Sequence, residues 1–353
     1  MSWAENIENK LGNRGLTTQK VSLPLDCSFL SPYLLPLGKR IELVKVSAIS
    51  VNDIVETVNF SIENHIPIIP LGGGKNNIGG LTPTKNSIVI DLKGIRYIHK
   101  EGRSLRIGSG TPFYENRSFL FWPKVYPSTY SEGATIGGNL EGGSTGIGSF
   151  KYGRTWNQFT AIKVVTPTGK IETYSDDRIM SFAHALGTTG VVIEVKLEER
   201  EENDYPRIFT FKDAYEASDF ASKINDAYHV SILPPSRIFE TNTWTVLVVF
   251  EDEISEGIDG RRLWEKRRLF HGGIVEELNT FYQGFYVNKD MLGEALKIAS
   301  ENCEVEAELI NDRTARVNVI GNRENISKVS TSFENIGVRV FNLHSIKINS
   351  RLE

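Results

Sequence analysis

The chain has 353 residues, 40% of them hydrophobic and 24% charged, which is the composition of an ordinary globular protein. That length is too great for one small core, so two domains are expected, at residues 1–200 and 201–353. Acidic residues number 44 and basic ones 40, and the net charge of −4 argues against nucleic acid or an anionic membrane surface as a partner.

No apolar run approaches the ~18–20 residues that span a bilayer; Trp244–Phe250 is only strand length. The polar, acidic start from Met1 to Asn6 shows no secretory leader. Cys27 and Cys303 fit no metal-ligand spacing, so no metal is expected, and they read as isolated buried thiols, with a disulfide between them as the alternative. These features together give a cytoplasmic expectation.

From Ile41 the chain follows a strand–helix–strand rhythm. Residues 41–46 read as a strand. Ser50 and Asp53 form a capping box ahead of Ile54, Val55, Val58 and Ile62, whose spacing predicts a helix over 52–63. Ile66-Pro67-Ile68-Ile69-Pro70 is a short strand running straight into a glycine-rich segment, 71–80. Further strands are expected at 87–92, 104–108, 161–166 and 191–195, with a second glycine cluster at 133–153. The charged stretch 198–204 reads as a solvated linker at the domain boundary. Beyond it the pattern is α+β: helices near 212–227, 261–270 and 291–299, and extended segments at 238–239, 244–250, 279–287, 305–310 and 315–320.

The glycine clusters carry the chemistry. Three glycines after a strand let peptide N–H groups turn toward an anion without obstruction by side chains. The segment is not a Walker loop: Ile69 stands where the first glycine belongs, and Asn76 replaces the Ser/Thr. Asn77 likewise breaks the G-x-G-x-x-G dinucleotide fingerprint. A plain glycine turn remains the competing reading for this loop. In the second cluster, Gly142-Gly143-Ser144-Thr145-Gly146 matches a nucleophile elbow, with Asp176, Asp177 and His184 following. Its flanks, however, read as neither strand nor helix, so a serine hydrolase is not expected.

Several motifs occur in order: Gly72 to Gly80, Pro127-Ser128, Ala134-Thr135-Ile136-Gly137-Gly138-Asn139, Lys151-Tyr152-Gly153 and Gly187-Thr188-Thr189-Gly190-Val191-Val192. Together they resemble the FAD-binding domain of the p-cresol methylhydroxylase/vanillyl-alcohol oxidase superfamily, nearest to the glycolate/lactate oxidase D- and E-subunit branch. The resemblance implies an α+β fold, with a two-subdomain FAD-binding domain followed by a short α+β cap that serves the substrate. It implies FAD as cofactor, its diphosphate cradled by Gly72, Gly73, Gly74, Lys75, Asn76, Asn77 and Gly80, aided by Pro127, Ala134, Thr135, Gly137 and Gly138. Gly142, Gly143, Ser149, Tyr152 and Gly153 would pass beside the ribityl chain and isoalloxazine. Gly190, Val191 and Val192 would meet adenine. Lys75 stands where the family commonly has threonine, and Leu71 where it often has arginine. The loop holds no histidine for covalent attachment, so non-covalent FAD is expected.

The resemblance further implies an FAD-linked oxidase or dehydrogenase acting on a 2-hydroxy acid. Partner subunits or a quinone would accept the electrons. The family's cap strand carries histidines, and here Glu308 and Arg316 stand at the nearest positions, so a histidine-base or metal-assisted mechanism does not transfer. The remaining catalytic candidates are Arg237, a planar cation suited to a carboxylate, and His271 and Tyr282 as bases. The alternative is a flavin-carrying relay or structural subunit without a substrate site of its own.

Overall fold

The computed structural model describes residues 1–27, 41–76, 79–269 and 281–338, with only the backbone at Tyr282. These residues form two compact units. One contains 1–27, 41–76, 79–144 and 154–200; the other contains 145–153, 201–269 and 281–338.

In the first unit, α1 (Trp3–Gly12) precedes β1 (Thr18–Val21), β2 (Leu43–Ser47), α2 (Val51–Asn64), β3 (Ile68–Leu71) and β4 (Ser87–Asp91). The strands make one sheet in the order β1-β2-β4-β3, with β2 and β3 both parallel to β4. β4 is buried along its whole length, as a parallel strand covered on both faces must be. α2 begins at the expected capping box: Ser50 Oγ accepts from the Asp53 amide at 3.2 Å, and the Asp53 carboxylate accepts from the Ser50 amide at 2.9 Å. Its apolar stripe, Ile54 and Val58, packs with Ile90 of this sheet and with Val165, Val191 and Ile193. α1 was not anticipated. Its Ala4, Ile7 and Leu11 pack against Val44, Val46 and Ile88.

A second, antiparallel sheet contains β5 (Ile98–Glu101), β6 (Ser104–Gly108), β9 (Phe159–Val165), β10 (Ile171–Ser175) and β11 (Val191–Glu198), in the order β10-β9-β11-β6-β5. A small hairpin, β7 (Tyr114–Glu115) and β8 (Ser118–Phe119), and the helix α3 (Ile136–Gly142) lie between β6 and β9. The glycine-rich turn expected at 134–138 is therefore the first turn of a helix. Thr135 Oγ1 caps it, accepting from the Gly138 amide at 3.3 Å. The charged stretch 198–204 is less solvated than expected: Glu198 still belongs to β11, and Arg200 is 4% exposed, with its guanidinium over Trp122.

In the second unit, α4 (Ser149–Tyr152) is followed by β12 (Tyr205–Phe211), α5 (Ala214–Ser222), β13 (His229–Leu233), β14 (Trp244–Phe250), β15 (Ile258–Asp259) and α6 (Arg261–Arg268). Then come β16 (Phe281–Asn288), α7 (Leu292–Ser300), β17 (Glu304–Leu309), β18 (Thr314–Gly321) and α8 (Arg323–Asn335). The strands form an antiparallel sheet, β15-β12-β14-β13-β17-β18-β16. The strand expected at 238–239 is instead a turn closed by a bridge between Ser236 and Thr241. The strand alternation separates two faces. Val230 and Ile232, Val305 and Ala307, and Val317 and Val319 enter a core with α5, α7 and α8. The intervening residues His229 and Ser231, Glu306 and Glu308, and Arg316 and Asn318 fall on the opposite face. The architecture is α+β, as expected.

Candidate functional site: two glycine bends and a buried polar cluster

The bend that follows β3 lies against the start of α3. A Cβ built on Gly72 would meet Thr135 Oγ1 at 2.4 Å and the Gly138 Cα at 3.6 Å; one on Gly138 would stand 4.0 Å from the Gly72 Cα. Gly73 is tighter still, its absent Cβ falling 2.0 Å from the Gly133 carbonyl oxygen. The bend after β3 thus needs glycine so that its backbone can approach the 133–138 segment. Among the described residues, none accepts a hydrogen bond from the amides of Gly72, Gly73, Gly74 or Lys75. The α3 amides are different: Ile136 donates to the Thr111 carbonyl and Gly137 to the Ser109 carbonyl, both at 3.0 Å. The donors left for an anion are therefore those of the first bend, together with Ala134 and Thr135. A row of open peptide N–H groups between opposed glycines fits the diphosphate of a dinucleotide cofactor.

The surrounding residues are fixed by their own contacts. Asn76 accepts from the Gly80 amide at 3.4 Å and lies 3.8 Å from where a Gly142 Cβ would be. Pro127 is buried in the first unit and its carbonyl caps a turn by accepting from the Tyr130 amide. Gly143 ends α3 with φ +59, and His184 packs where its Cβ would stand. Gly190 leads into β11, where Val191 and Val192 pair with Val165 and Val164. Ser149, Tyr152 and Gly153 belong to the second unit. There Ser149 Oγ accepts from the Gly146 amide and Tyr152 donates to Glu251 at 2.9 Å. Asn77 lies outside the described residues.

Two first-unit side chains escaped the sequence reading. Buried Asn139 donates to Ser144 Oγ at 3.0 Å and accepts from Thr155 at 2.9 Å, tying the end of α3 to the chain entering β9. This bond, and the His184 ring placed on the Gly142 carbonyl at 2.6 Å, leave no elbow geometry at Ser144. Glu141 has a carboxyl whose burial pushes it up to about 8, opposed by the amides of Gly187, at 2.9 Å, and Val192.

In the second unit the structure brings Glu308 and Arg316 opposite each other on β17 and β18. Glu308 belongs to a buried cluster around Arg267 of α6, whose guanidinium contacts Glu306 at 2.7 Å and Glu308 at 3.2 Å. Arg237 stands exposed in the 236–241 turn, apart from this cluster. His271 and the Tyr282 side chain lie outside the described residues. Arg267 and Glu306, both fully buried, were not anticipated. The Glu304-Val305-Glu306-Ala307-Glu308 alternation was the available signal, since a period of two puts its acids on one face.

Residues 43–175 match a family model described as an FAD binding domain. This stretch of the chain is an FAD binding domain. FAD is accordingly its cofactor, and the resemblance to the p-cresol methylhydroxylase/vanillyl-alcohol oxidase superfamily holds. The chain is similar to the D-lactate dehydrogenase of Anaerostipes hadrus, 28% identical over 178 residues, covering 46% of this chain and 37% of that protein. It is also similar to the glycolate oxidase subunit GlcD of Bacillus subtilis, 27% identical over 227 residues, covering 59% and 47%. The chain thus spans less than half the length of either relative. Among solved structures, Physcomitrella patens BBE-like 1 shares the fold with a TM-score of 0.64 at 12% identity, covering 95% of this chain and 89% of that one. An alkyldihydroxyacetonephosphate synthase shares it at 0.67 and 14%, covering 84% and 72%. Among the described residues, no helix is long and apolar enough to cross a membrane.

Proposed function

We propose that the chain is an FAD-dependent oxidoreductase that oxidises a small hydroxylated substrate, with 2-hydroxy acids such as glycolate or lactate as the first class to test. One observation carries the reading: the amides of Gly72 to Lys75 are open among the described residues, in a bend whose Gly72 packs against Thr135 and Gly138 inside an FAD binding domain. The relatives named as a D-lactate dehydrogenase and a glycolate oxidase subunit support the substrate class.

Bound FAD supplies a hydride acceptor at its N5 atom. The chain's own task is to hold the cofactor, to take the hydroxyl proton and to anchor a carboxylate. On this reading Gly72, Gly73, Gly74 and Lys75 grip the diphosphate, and Ala134 and Thr135 add donors from the facing bend. Val191 and Val192 flank adenine, with Glu141 behind them. Glu308 and Arg316 are the second unit's proton-handling and carboxylate-holding candidates. A partner subunit or a quinone takes the electrons, a choice favoured by the relative that is itself named as a subunit.

A second reading, a flavin-carrying relay subunit with no substrate site of its own, is favoured by the engagement of Glu308 with Arg267. The deciding experiment loads the purified chain with FAD and adds hydroxy acids and sugars without oxygen. Bleaching of the flavin by a 2-hydroxy acid supports the first reading. Bleaching only by dithionite supports the relay, and a folded chain that binds no FAD ends both.

A further inference from the structure

On the face of the second unit's sheet that carries Arg267, hydrogen bonds to Ser231 and Glu306 constrain the protons around His229. Glu306 accepts from Arg267 Nε at 2.9 Å and Nη2 at 2.7 Å, from Ser231 Oγ at 3.0 Å and from Asn318 Nδ2 at 2.6 Å. With only donors converging on its two oxygens, Glu306 is an ionised carboxylate. Ser231 has one proton and gives it to Glu306, so at 2.7 Å from His229 Nε2 its oxygen can only accept. His229 therefore carries its proton on Nε2, and Nδ1 is a bare lone pair. That lone pair lies 3.7 Å from Glu308 Oε1, and both atoms are buried with no hydrogen-bond partner among the described residues. An ionised Oε1 would set a negative oxygen against a lone pair in a dry site; a protonated one makes the two a donor and an acceptor.

We propose that Glu308 is a neutral carboxylic acid whose proton sits on Oε1 facing His229 Nδ1, so that the second unit holds a built proton-storage pair beside an ionised glutamate. The separation exceeds a formed hydrogen bond, so the pair is poised to close on the proton. Its surroundings agree. Burial, then the Glu306 charge, push the Glu308 carboxyl up, while Arg267 and Arg316 pull the other way. Burial and then Arg267 hold His229 neutral. The charged groups facing the pair are Arg267 from α6, Glu306 from the same strand as Glu308, and Arg316 from β18; the Trp264 ring covers His229 at 5.2 Å. Two glutamates two residues apart thus take opposite protonation states. The lone-pair contact makes the difference; the assignment does not need the proposed oxidation, but with its proton in place Glu308 cannot be the group that takes the hydroxyl proton.

The test uses the full chain with ¹⁵N-labelled histidine, with His229 assigned by the resonance missing in His229→Asn. The expected result is an Nε2–H tautomer with an unprotonated Nδ1 at neutral pH; a proton on Nδ1 overturns the proposal. Infrared spectra of ¹³C-glutamate protein, taken in a Glu141→Gln background to remove the other raised carboxyl, should show a carboxylic-acid C=O band that shifts in D₂O. That band should vanish in Glu308→Gln and persist in wild-type Glu308; its survival in Glu308→Gln also overturns the proposal. Should Glu308→Gln fail to fold, the Glu141→Gln protein decides: absence of the carboxylic-acid band there at neutral pH overturns the proposal.

Discussion

Gly72 and Gly138 face each other so closely that a Cβ on either would come within 4.0 Å of the other's Cα. The two positions differ in what a side chain would disturb. A Gly72 Cβ strikes Thr135 Oγ1 at 2.4 Å, and a Gly73 Cβ strikes the Gly133 carbonyl at 2.0 Å, so substitutions there distort the bends with or without cofactor. A Gly138 Cβ meets the Thr135 Oγ1 side-chain atom at 3.1 Å and, beyond it, only the Gly72 Cα at 4.0 Å, with no backbone clash. Gly138 is also inside α3, where alanine is the better helix former by about 1 kcal/mol. Gly138→Ala is therefore expected to keep or raise the melting temperature of the cofactor-free protein. Its affinity for FAD should fall at least about tenfold, about 1.4 kcal/mol. Titration with FAD beside a melting curve reads both, and unchanged affinity would place the diphosphate away from Gly138.

Glu141 gives the first unit a pH dependence of definite sign. Burial raises its carboxyl from 4.5 to about 8, against the lowering effect of the Gly187 and Val192 amides. A raised folded value means that its contribution is fully present below about 4.5 and is lost as pH rises through about 8. Glu141→Gln keeps a carbonyl to accept from Gly187 and cannot ionise. Urea unfolding should show the variant more stable by roughly 2–4 kcal/mol at the top of that window, with the difference vanishing at its acid end. Equal slopes for the two proteins would mean that Glu141 is already solvated.

The Ser50–Asp53 box was legible because both halves of the signal lie three residues apart in the chain. Ser50→Ala should cost about 1 kcal/mol in denaturant unfolding, the worth of an N-cap. Ser2 and Glu5 make the same box at the start of α1, yet the polar opening was not read as a helix start. α3 was hidden for another reason. Its Ile136-Gly137-Gly138-Asn139 run is poor in helix propensity, and it forms because the Ile136 and Gly137 amides are tied to Thr111 and Ser109 and Thr135 caps the first turn. Glycines forced by a close approach announce themselves in sequence, and the bend after β3 was visible there. The polar cluster was not: Glu306 and Glu308 alternate with apolar residues as a solvent face would, and their partner Arg267 lies 39 residues from Glu306.

Arg267 is the residue on which the second unit's polar face depends. It is fully buried, and its fork engages the carboxyl groups of both Glu306 and Glu308, which are 0% and 2% exposed. Arg267→Leu leaves Glu306 ionised and without its counter-charge, a loss of the kind that costs about 3–5 kcal/mol. Arg267→Lys restores the charge but not the fork, since an ammonium cannot match both the Nε and Nη2 contacts, and should recover only part of that loss. Replacing both members of the tightest pair, Arg267→Leu with Glu306→Leu, removes the orphaned charge along with its partner. This double variant should be more stable than Arg267→Leu alone, and a denaturant midpoint for each of the three proteins measures the order. A double variant no better than the single one would show that Arg267 acts by filling its buried place rather than by holding the Glu306 carboxylate.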